Sequence, residues 1–449
     1  MYRVITTIWL SLLALSGINA QDPVDFNTFN TETYSLYQQQ KWDSLIDMGR
    51  EALKQDYDFY YLRMRLGIAL YNQKNFRKAG VHFTKALAMN QGDPVALEYL
   101  YYSRLLAGQG DQANLVREQF KGDLALKLPP FKGKFFDRLG AEYLYNRGMI
   151  DHISTNPEET FPGLPSGVQY ITHHFSNVSL SLTNSIAPGF SLHHAYTFMT
   201  KTNLQYYNDG NMQYFVDNQN VTQHQYYLSP RFTTQSGFKI MPMFHRINGK
   251  YQIPVETSGS GGGYSRAYLY YVEYIDYVAG LGLSHSLGSF NLTLGAWYAT
   301  LNDSEQVQNR LGLTWYPKGN LNFYASAYMN SQYEITEGEA VLRWIPEMHI
   351  GFSISEKLWF DLNGTMGEMT NYLENNGQIV YNSFSETIQQ KIKFTISIPV
   401  SEKGSLLYLG GRWTSNISEF YPLVYDLTGT TNTKSYNTLS FYGGISWKF

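Results

Sequence analysis

The sequence predicts an antiparallel transmembrane β-barrel of about 14 strands that follows a short array of paired helices. Three observations support this fold class. From residue 134 onward, apolar and polar residues alternate in one segment after another. The last segment ends on an aromatic residue, Phe449. Between residues 28 and 120, similar residues instead recur at a spacing of 34, which is the length of a helix-turn-helix repeat.

The final segment shows the alternation most clearly. Phe441, Ile445 and Trp447 fall on one face of a predicted strand, and the polar or small residues between them fall on the other. A chain that ends in this way resembles the closing strand of bacterial outer-membrane barrels, where the terminal aromatic residue belongs to the signal read by the barrel-assembly machinery. The resemblance implies that Phe441, Ile445, Trp447 and Phe449 form this barrel-assembly signal.

Segments of the same kind fill residues 134–449, the predicted barrel domain. We predict strands at about 134–147, 170–184, 188–201, 221–235, 237–250, 266–286, 289–301, 304–317, 320–333, 335–346, 357–371, 378–398, 404–420 and 435–449. Short turns alternate with longer loops, as in outer-membrane barrels. The connection from Pro346 to Glu356 is an exception, and we interpret it as a longer loop or a miscounted strand pair. Alternation alone does not distinguish a lipid-facing barrel from a soluble sandwich.

The N-terminus predicts export. Arg3 precedes an apolar run from Val4 to Leu15, and small residues lead to Ala20. The run is shorter than the roughly 18 residues that a spanning helix needs, so we interpret residues 1–20 as a secretory signal peptide, with an N-terminal membrane anchor as the alternative. Residues 21–27 are then a linker.

The overall composition agrees with an exported barrel. The net charge of −3 gives no reason to expect nucleic-acid binding. Aromatic residues make up 16% of the chain, which fits aromatic girdles at two membrane interfaces. The absence of cysteine excludes disulfides, thiolate metal sites and cysteine nucleophiles.

The helical segment at 28–120 has a best-defined middle copy. The residues predicted to pack its helices are Leu66, Gly67, Leu70, Phe76, Ala79, Phe83 and Ala86. Their spacing resembles the tetratricopeptide repeat, which implies about two and a half to three repeats. Such an array either docks a partner protein or serves as a spacer or plug at the barrel mouth. Leu128-Pro129-Pro130 breaks the helical pattern, so we predict a linker at 121–133.

Together, the three parts resemble the YaiO-like outer-membrane proteins and, more loosely, the tetratricopeptide-plus-barrel exporters of exopolysaccharides. The resemblance implies a bacterial outer-membrane location, with outer-membrane lipid around the barrel and the repeats in the periplasm near a protein partner. It also implies a pore or a secretion and export component. The alternative is a non-conducting scaffold or accessory subunit of an envelope complex.

The predicted inward face carries many charges. We expect a hydrated, mainly basic lumen that favours anionic or polar solutes, or an interior closed by ion pairs. The candidate lumen-lining residues are Arg138, Glu142, Arg231, Lys239, Arg310, Glu339, Arg343, Asp361, Lys391, Lys393, Arg412 and Lys448.

Enzymatic and metal chemistry have weaker support. His173, His193 and His245 could face one region of the lumen, but we predict no metal site and no cofactor. His174 and Ser176 have the spacing of the lipid-facing pair in outer-membrane phospholipases. Because no orienting third group is evident, we predict no catalytic residues and keep lipid hydrolysis as a remote alternative.

Overall fold

The computed structural model describes residues 25–149, 167–208, 213–257, 266–383, 386–422 and 433–449. The predicted signal peptide at 1–20 and the glycine-rich run at 259–263 lie outside these ranges. The chain forms two compact units, of which the first ends at Ser103 and the second begins at Arg104. The division therefore precedes the predicted linker at 121–133.

Seven helices occupy the N-terminal part of the described chain. They are α1 (Phe26–Gln38), α2 (Trp42–Lys54), α3 (Tyr60–Asn72), α4 (Phe76–Met89), α5 (Pro94–Leu106), α6 (Gly110–Arg117) and α7 (Gly122–Lys127). The helices α1, α3 and α5 begin 34 residues apart, and so do α2, α4 and α6. None of the described helices is long and apolar enough to cross a membrane.

Helices α3 and α4 pack closely because small residues face a large ring. A Cβ atom at Gly67 would lie 2.6 Å from the ring of Phe83. Phe83, Ala79 and Ala86 are fully buried, Leu66 and Leu70 are nearly so, and Phe76 is half-buried. These side chains therefore form a buried contact within and between α3 and α4.

The second unit contains a closed antiparallel barrel of 14 strands, which confirms the predicted fold class. Its strands are β1 (Lys134–Gly148), β2 (Gly167–Ala187), β3 (Phe190–Asn208), β4 (Gln213–Thr233), β5 (Phe238–Thr257), β6 (Arg266–Leu287), β7 (Phe290–Leu301), β8 (Ser304–Trp315), β9 (Phe323–Thr336), β10 (Glu339–Ser355), β11 (Leu358–Met369), β14 (Glu386–Pro399), β15 (Leu406–Pro422) and β16 (Thr433–Lys448). Two further strands, β12 (Tyr372–Glu374) and β13 (Ile379–Tyr381), form a separate two-stranded sheet.

The barrel closes where β1 pairs with β16. The register places Arg138 opposite Lys448 and Tyr145 opposite Phe441. Beyond the last pair, the Phe449 amide donates to the Asp137 carbonyl at 3.1 Å. Phe441, Ile445, Trp447 and Phe449 are all exposed on the outer surface.

The structure shifts several strand boundaries, and two of these shifts change how the strands are connected. We predicted that a strand ends at Pro346, but β10 continues to Ser355 and turns directly into β11 at Leu358. Pro346 lacks an amide donor, yet it still pairs with Met329 of β9. We also predicted a strand at 378–398, whereas the barrel strand β14 begins at Glu386. The residues before it belong largely to the two-stranded sheet, whose position inside the barrel is described next.

Candidate functional site: the inner hairpin and the cavity beside it

The connection between β11 and β14 folds into the barrel as a hairpin. We call residues 370–383 the inner hairpin. Its turn contains Asn375, Asn376 and Gly377, which all have positive φ values, of 53°, 55° and 74°. Asparagine and glycine tolerate this backbone region better than other residues, and an Asn-Gly pair is a strong hairpin signal.

Glutamine side chains of the barrel wall hold the backbone of the inner hairpin. Gln308 of β8 both donates to the Leu373 carbonyl at 2.7 Å and accepts from the Leu373 amide at 2.9 Å. Gln306 and Gln332 donate to the carbonyls of Asn371 and Thr370, each at 2.7 Å. The short strand β12 thus finds hydrogen-bond partners outside its own sheet, as buried backbone groups require.

An apolar cluster joins the inner hairpin to the same side of the barrel. Leu373 is 1% exposed and belongs to a buried cluster with side chains of β3 to β7, and Val380 packs against this cluster. The other members are Ala195, Tyr227, Met243, Ile247, Val278, Trp297, Ala299 and Leu301. Burial of this kind stabilises the hairpin by roughly 25 cal/mol per Å² of apolar surface removed from water.

A buried ion pair lies next to the cluster. Glu347 of β10 is 1% exposed and sits 3.0 Å from the guanidinium of Arg310. It also accepts hydrogen bonds from Asn363 at 3.0 Å and from the Tyr372 hydroxyl of the hairpin at 3.3 Å. The Arg310 guanidinium lies 3.9 Å from the centre of the Tyr328 ring. These contacts neutralise and solvate a carboxylate that would otherwise be very costly to bury.

A second ion pair fixes the end of β12. The Lys391 ammonium of β14 is fully buried and lies 2.5 Å from the carboxylate of Glu374. The Tyr381 hydroxyl of β13 donates to the same carboxylate at 2.6 Å. Both strands of the hairpin are therefore connected to one charged group of the wall.

On the opposite side, the inner hairpin leaves a cavity of about 370 Å³. Its walls come from β1 to β4 and from β14 to β16, and its floor includes Asn375, Gln378 and Tyr381 of the hairpin. Amides, hydroxyls and tyrosine rings dominate the lining, as in Asn146, Asn177, Gln223, Ser179, Thr414, Tyr408 and Tyr442. The volume falls in the range of small-molecule sites, about 300–1,000 Å³.

Charged groups at the edge of this cavity are partly paired. Lys201 of β3 lies 3.0 Å from Glu386 of β14 and donates to Ser383 of the hairpin at 2.9 Å. Glu386 also accepts from the Thr172 amide at 2.7 Å. Lys393, Arg412 and Glu142 line the cavity as well.

Three of the predicted lumen residues, Glu142, Lys393 and Arg412, line the cavity, and the other nine divide into three groups. Arg310, Arg343, Lys239 and Lys391 are in ion pairs, with Glu347, Glu334, Asp111 and Glu374. Others contact neutral groups, since Arg138 donates to Ser446 at 2.8 Å and Asp361 accepts from the Tyr324 hydroxyl. Arg231 and Lys448 are half-buried, and Glu339 is exposed at the start of β10.

The interior is less basic than the sequence suggested. The carboxylates Glu334, Glu347, Glu374 and Glu386 did not appear among the predicted lumen residues, although all four lie beside interior cations. The alternation rule could have identified Glu347, since it shares the inward parity of Arg343 on β10.

Helix α6 lies against the barrel end that carries the short turns. Asp111 accepts from Lys239 at 3.0 Å and from Thr233 at 3.4 Å. Close approach is possible because Gly189 and Gly237 face Leu115 and Gln112 of the helix, and both glycines have positive φ values. The helix that starts the second unit is therefore part of the barrel mouth.

The histidines and Ser176 make structural contacts. His245 hydrogen-bonds to the Gly377 carbonyl at 2.9 Å, and His193 to Thr183 at 3.0 Å. The described residues contain no group of three or more potential metal ligands. The Ser176 hydroxyl is 3.0 Å from the hydroxyl of Thr200, its cross-strand neighbour on β3.

Comparisons with known proteins leave the family open. No family model and no curated protein matches the chain. A TodX monoaromatic hydrocarbon channel mutant shares 10% identity over 73% of this chain and 94% of its own, with a TM-score of 0.43. A FadL homologue from Pseudomonas aeruginosa shares 7% identity over 70% of this chain and 90% of its own, with a TM-score of 0.40. A MamA chain shares 22% identity over 22% of this chain, with a TM-score of 0.21, and this chain spans 57% of its length.

Proposed function

We propose that this protein is an outer-membrane barrel that acts as a pore or as a secretion and export component for polar or anionic solutes, including polysaccharide. The observation that carries the proposal is the polar cavity of about 370 Å³ inside an otherwise closed 14-strand barrel. We further propose that the helical repeats lie in the periplasm and dock a protein partner, as the resemblance to YaiO-like proteins implies.

A membrane location is supported by the contrast between the two faces of each strand. Leu294, Leu311 and Met329 are 43%, 56% and 43% exposed on the outer surface. Inward neighbours on β8 and β9 such as Gln308, Asn330 and Gln332 are fully buried. A row of apolar side chains around a closed barrel with a polar interior is the pattern that lipid requires.

The terminal residue tests the membrane location. Phe449→Ala should reduce the amount of folded barrel in outer-membrane fractions several-fold, because it removes the predicted assembly signal. Folded barrel is measured by its heat-dependent mobility on denaturing gels. Phe290→Ala is the matched control, because it removes one ring of similar exposure, 43% against 42%, outside the predicted signal. Normal assembly of Phe449→Ala would argue against the outer-membrane assignment.

Conductance tests the pore. The full-length protein in planar bilayers should pass ions, and replacement of residues 371–382 by a short Gly-Ser linker should raise the single-channel conductance. Because the chain has no cysteine, Asn375→Cys adds a unique thiol at the cavity floor. A bulky thiol reagent should lower the conductance of that variant and leave the conductance of Lys250→Cys, on β5 and outside the cavity lining, unchanged. A barrel that assembles but never conducts, even without the hairpin, would remove the pore proposal.

The second candidate is a non-conducting scaffold or accessory subunit. The extensive anchoring of the inner hairpin by Gln306, Gln308, Gln332 and two buried ion pairs favours it. In the helical unit, Tyr61 is 63% exposed and Tyr34 is 48% exposed, with the Arg65 guanidinium 5.1 Å from the Tyr34 ring. Exposed tyrosine and arginine are typical of interfaces.

A photo-crosslinkable residue at Tyr61 tests the docking proposal. It should yield one stoichiometric product in intact cells, and the same residue at Lys54, on α2, is the control. The same set of crosslinked products from Tyr61 and from Lys54 would argue against a specific docking surface at Tyr61.

A further inference from the structure

Two cations of the cavity wall lie directly opposite each other. Lys393 of β14 and Arg412 of β15 are cross-strand partners in the barrel ladder, and both line the cavity. Like charges at directly opposed positions destabilise a sheet. The pair therefore has an energetic cost that something else in the protein, or a ligand, must offset.

Neither cation has the carboxylate partner that four other interior cations have. Lys201, Arg310, Arg343 and Lys391 each form an ion pair with a carboxylate. In the described ranges, no ion pair within 4.0 Å involves Lys393 or Arg412.

Contacts with aromatic rings and a hydroxyl orient the two groups. The Lys393 ammonium lies 4.7 Å from the centre of the Tyr442 ring. The Arg412 guanidinium lies 5.9 Å from the Tyr381 ring, and its Nε donates to Ser440 at 3.3 Å. Contacts with rings and hydroxyls hold a guanidinium in place, while its remaining N–H groups stay available.

Nearby carboxylates are engaged elsewhere. Glu374 interacts electrostatically with Lys393, but its hydrogen bonds come from Lys391 at 2.5 Å and from the Tyr381 hydroxyl at 2.6 Å. Glu142, on the same cavity, accepts a hydrogen bond from Tyr408. Among the charged residues that line the cavity, Lys201 is paired with Glu386. Glu142 balances one of the two charges of Lys393 and Arg412, so the cavity wall keeps one net positive charge.

We propose that Lys393 and Arg412 form an oxyanion-binding site for a small, hydroxyl-rich solute that carries a carboxylate or a phosphate. The oxyanion would lie between the two cations and relieve their repulsion. The amides and hydroxyls of Asn146, Asn416, Thr414 and Thr438 line the same cavity and hydrogen-bond to one another, and the hydroxyl groups of the solute would join this network. This inference deepens the proposed function, since it names the solute class for the same cavity.

Isothermal titration of the purified full-length protein in detergent tests the site. The probes are glucuronate, glucose 6-phosphate and glucose, which share a ring and differ in the anionic group. We expect at least tenfold tighter binding of one or both anions than of glucose, and the tighter anion identifies the preferred group. Binding should weaken as salt rises, because charge carries the affinity.

Substitutions locate the site. Lys393→Gln and Arg412→Gln should each weaken anion binding about tenfold or more, and the matched control Lys250→Gln, which removes a charge paired with Glu273 on the neighbouring strand, should not. Heat-dependent gel mobility reports whether each variant is folded. Equal binding of all three sugars, or unchanged anion binding in both folded variants, would overturn the inference. Since titration does not depend on conductance, a conducting barrel without anion binding defeats this inference alone, and an anion-binding barrel that never conducts defeats the pore alone.

Discussion

The two sides of the barrel interior use the same residue types in different ways. Under the inner hairpin, the wall combines apolar packing from β3 to β7 with cations of β8 and β10 that are paired with carboxylates, such as Arg310 with Glu347. Across the cavity, the wall from β14 to β16 has Lys393 opposite Arg412, and neither forms an ion pair within the part of the chain that the structure describes. The first arrangement stabilises the inner hairpin inside the barrel. The second arrangement leaves two cations, Lys393 and Arg412, that can bind an anionic ligand in the cavity.

The largest expected effect comes from breaking the buried pair on the filled side. Arg310→Gln leaves the carboxylate of Glu347 with Tyr372, Asn363 and His349 but without the guanidinium. Losing one partner of a buried ion pair costs about 3–5 kcal/mol, and we expect a loss of that size in the free energy of unfolding. Urea unfolding of the detergent-folded protein, followed by tryptophan fluorescence, measures it. Arg310→Lys keeps the charge and should lose less.

An effect below about 1 kcal/mol for Arg310→Gln, which is the size of an exposed pair, would mean that water reaches Glu347. The filled side would then be hydrated like the cavity side, and the contrast between the two walls would disappear.

Replacing one apolar residue on each face of the inner hairpin tests the difference between the two walls. Leu373→Ala removes a side chain from the buried cluster and should cost about 2–5 kcal/mol. Ile379→Ala removes a half-buried side chain that already borders the cavity, and we expect a cost of about 1 kcal/mol. Both are measured by the same urea titration. Equal costs would show that the hairpin is packed alike on its two faces.

The sequence predicts the barrel that carries the two walls. It does not predict the inner hairpin or several interior carboxylates, and each of these has an identifiable cause. Period-two alternation predicts the 14 barrel strands, because a closed sheet between lipid and a polar interior imposes it along nearly every strand. The inner hairpin was missed, although Asn376-Gly377 is a hairpin signal, because its strands have only three residues each and run into the pattern of β14.

Three interior carboxylates, Glu347, Glu334 and Glu386, are absent from the predicted lumen residues because of local features of their strands. Ending β10 at Pro346 removed Glu347 from the inward face, and ending β9 at residue 333 removed Glu334. Glu386 has the outward parity of β14, but a register shift between Ile388 and Gln390 turns it inward. A bulge of this kind changes which face a residue occupies and is not visible in alternation alone.

The helical unit offers a third way to accommodate a buried basic group. His82 lies 3.3 Å from the Arg63 guanidinium, so its Nδ1 accepts and the ring is neutral. Burial, and then the charge of Arg63, lowers the pKa of His82 to about 4 from its usual 6.5. Since the unfolded chain binds the proton more readily, the stability that His82 contributes is complete above pH 6.5 and is lost as the pH falls towards 4.

We therefore expect the helical unit to lose up to about 3 kcal/mol between pH 7.5 and pH 4. Thermal unfolding of the full-length protein, followed by ellipticity at 222 nm, measures the change, and His82→Gln should flatten it. Asp58 does not interfere, because the hydrogen bond from Arg63 lowers its pKa below 3.8, so its contribution is lost only in stronger acid. A pH dependence that persists in His82→Gln would assign it to another group.

The smallest expected effect has the opposite sign. Arg412→Gln removes one of two like charges that face each other across the ladder, so it should leave the free energy of unfolding unchanged or raise it by about 0.2–1 kcal/mol. The Ser440 contact and the packing on Tyr381 are the interactions at risk, and glutamine retains a donor for the hydroxyl. Urea titration beside Arg310→Gln gives a direct comparison of the two arginines. A loss above 1 kcal/mol for Arg412→Gln would mean that the protein itself compensates this cation, and the cavity wall would then resemble the wall beneath the hairpin.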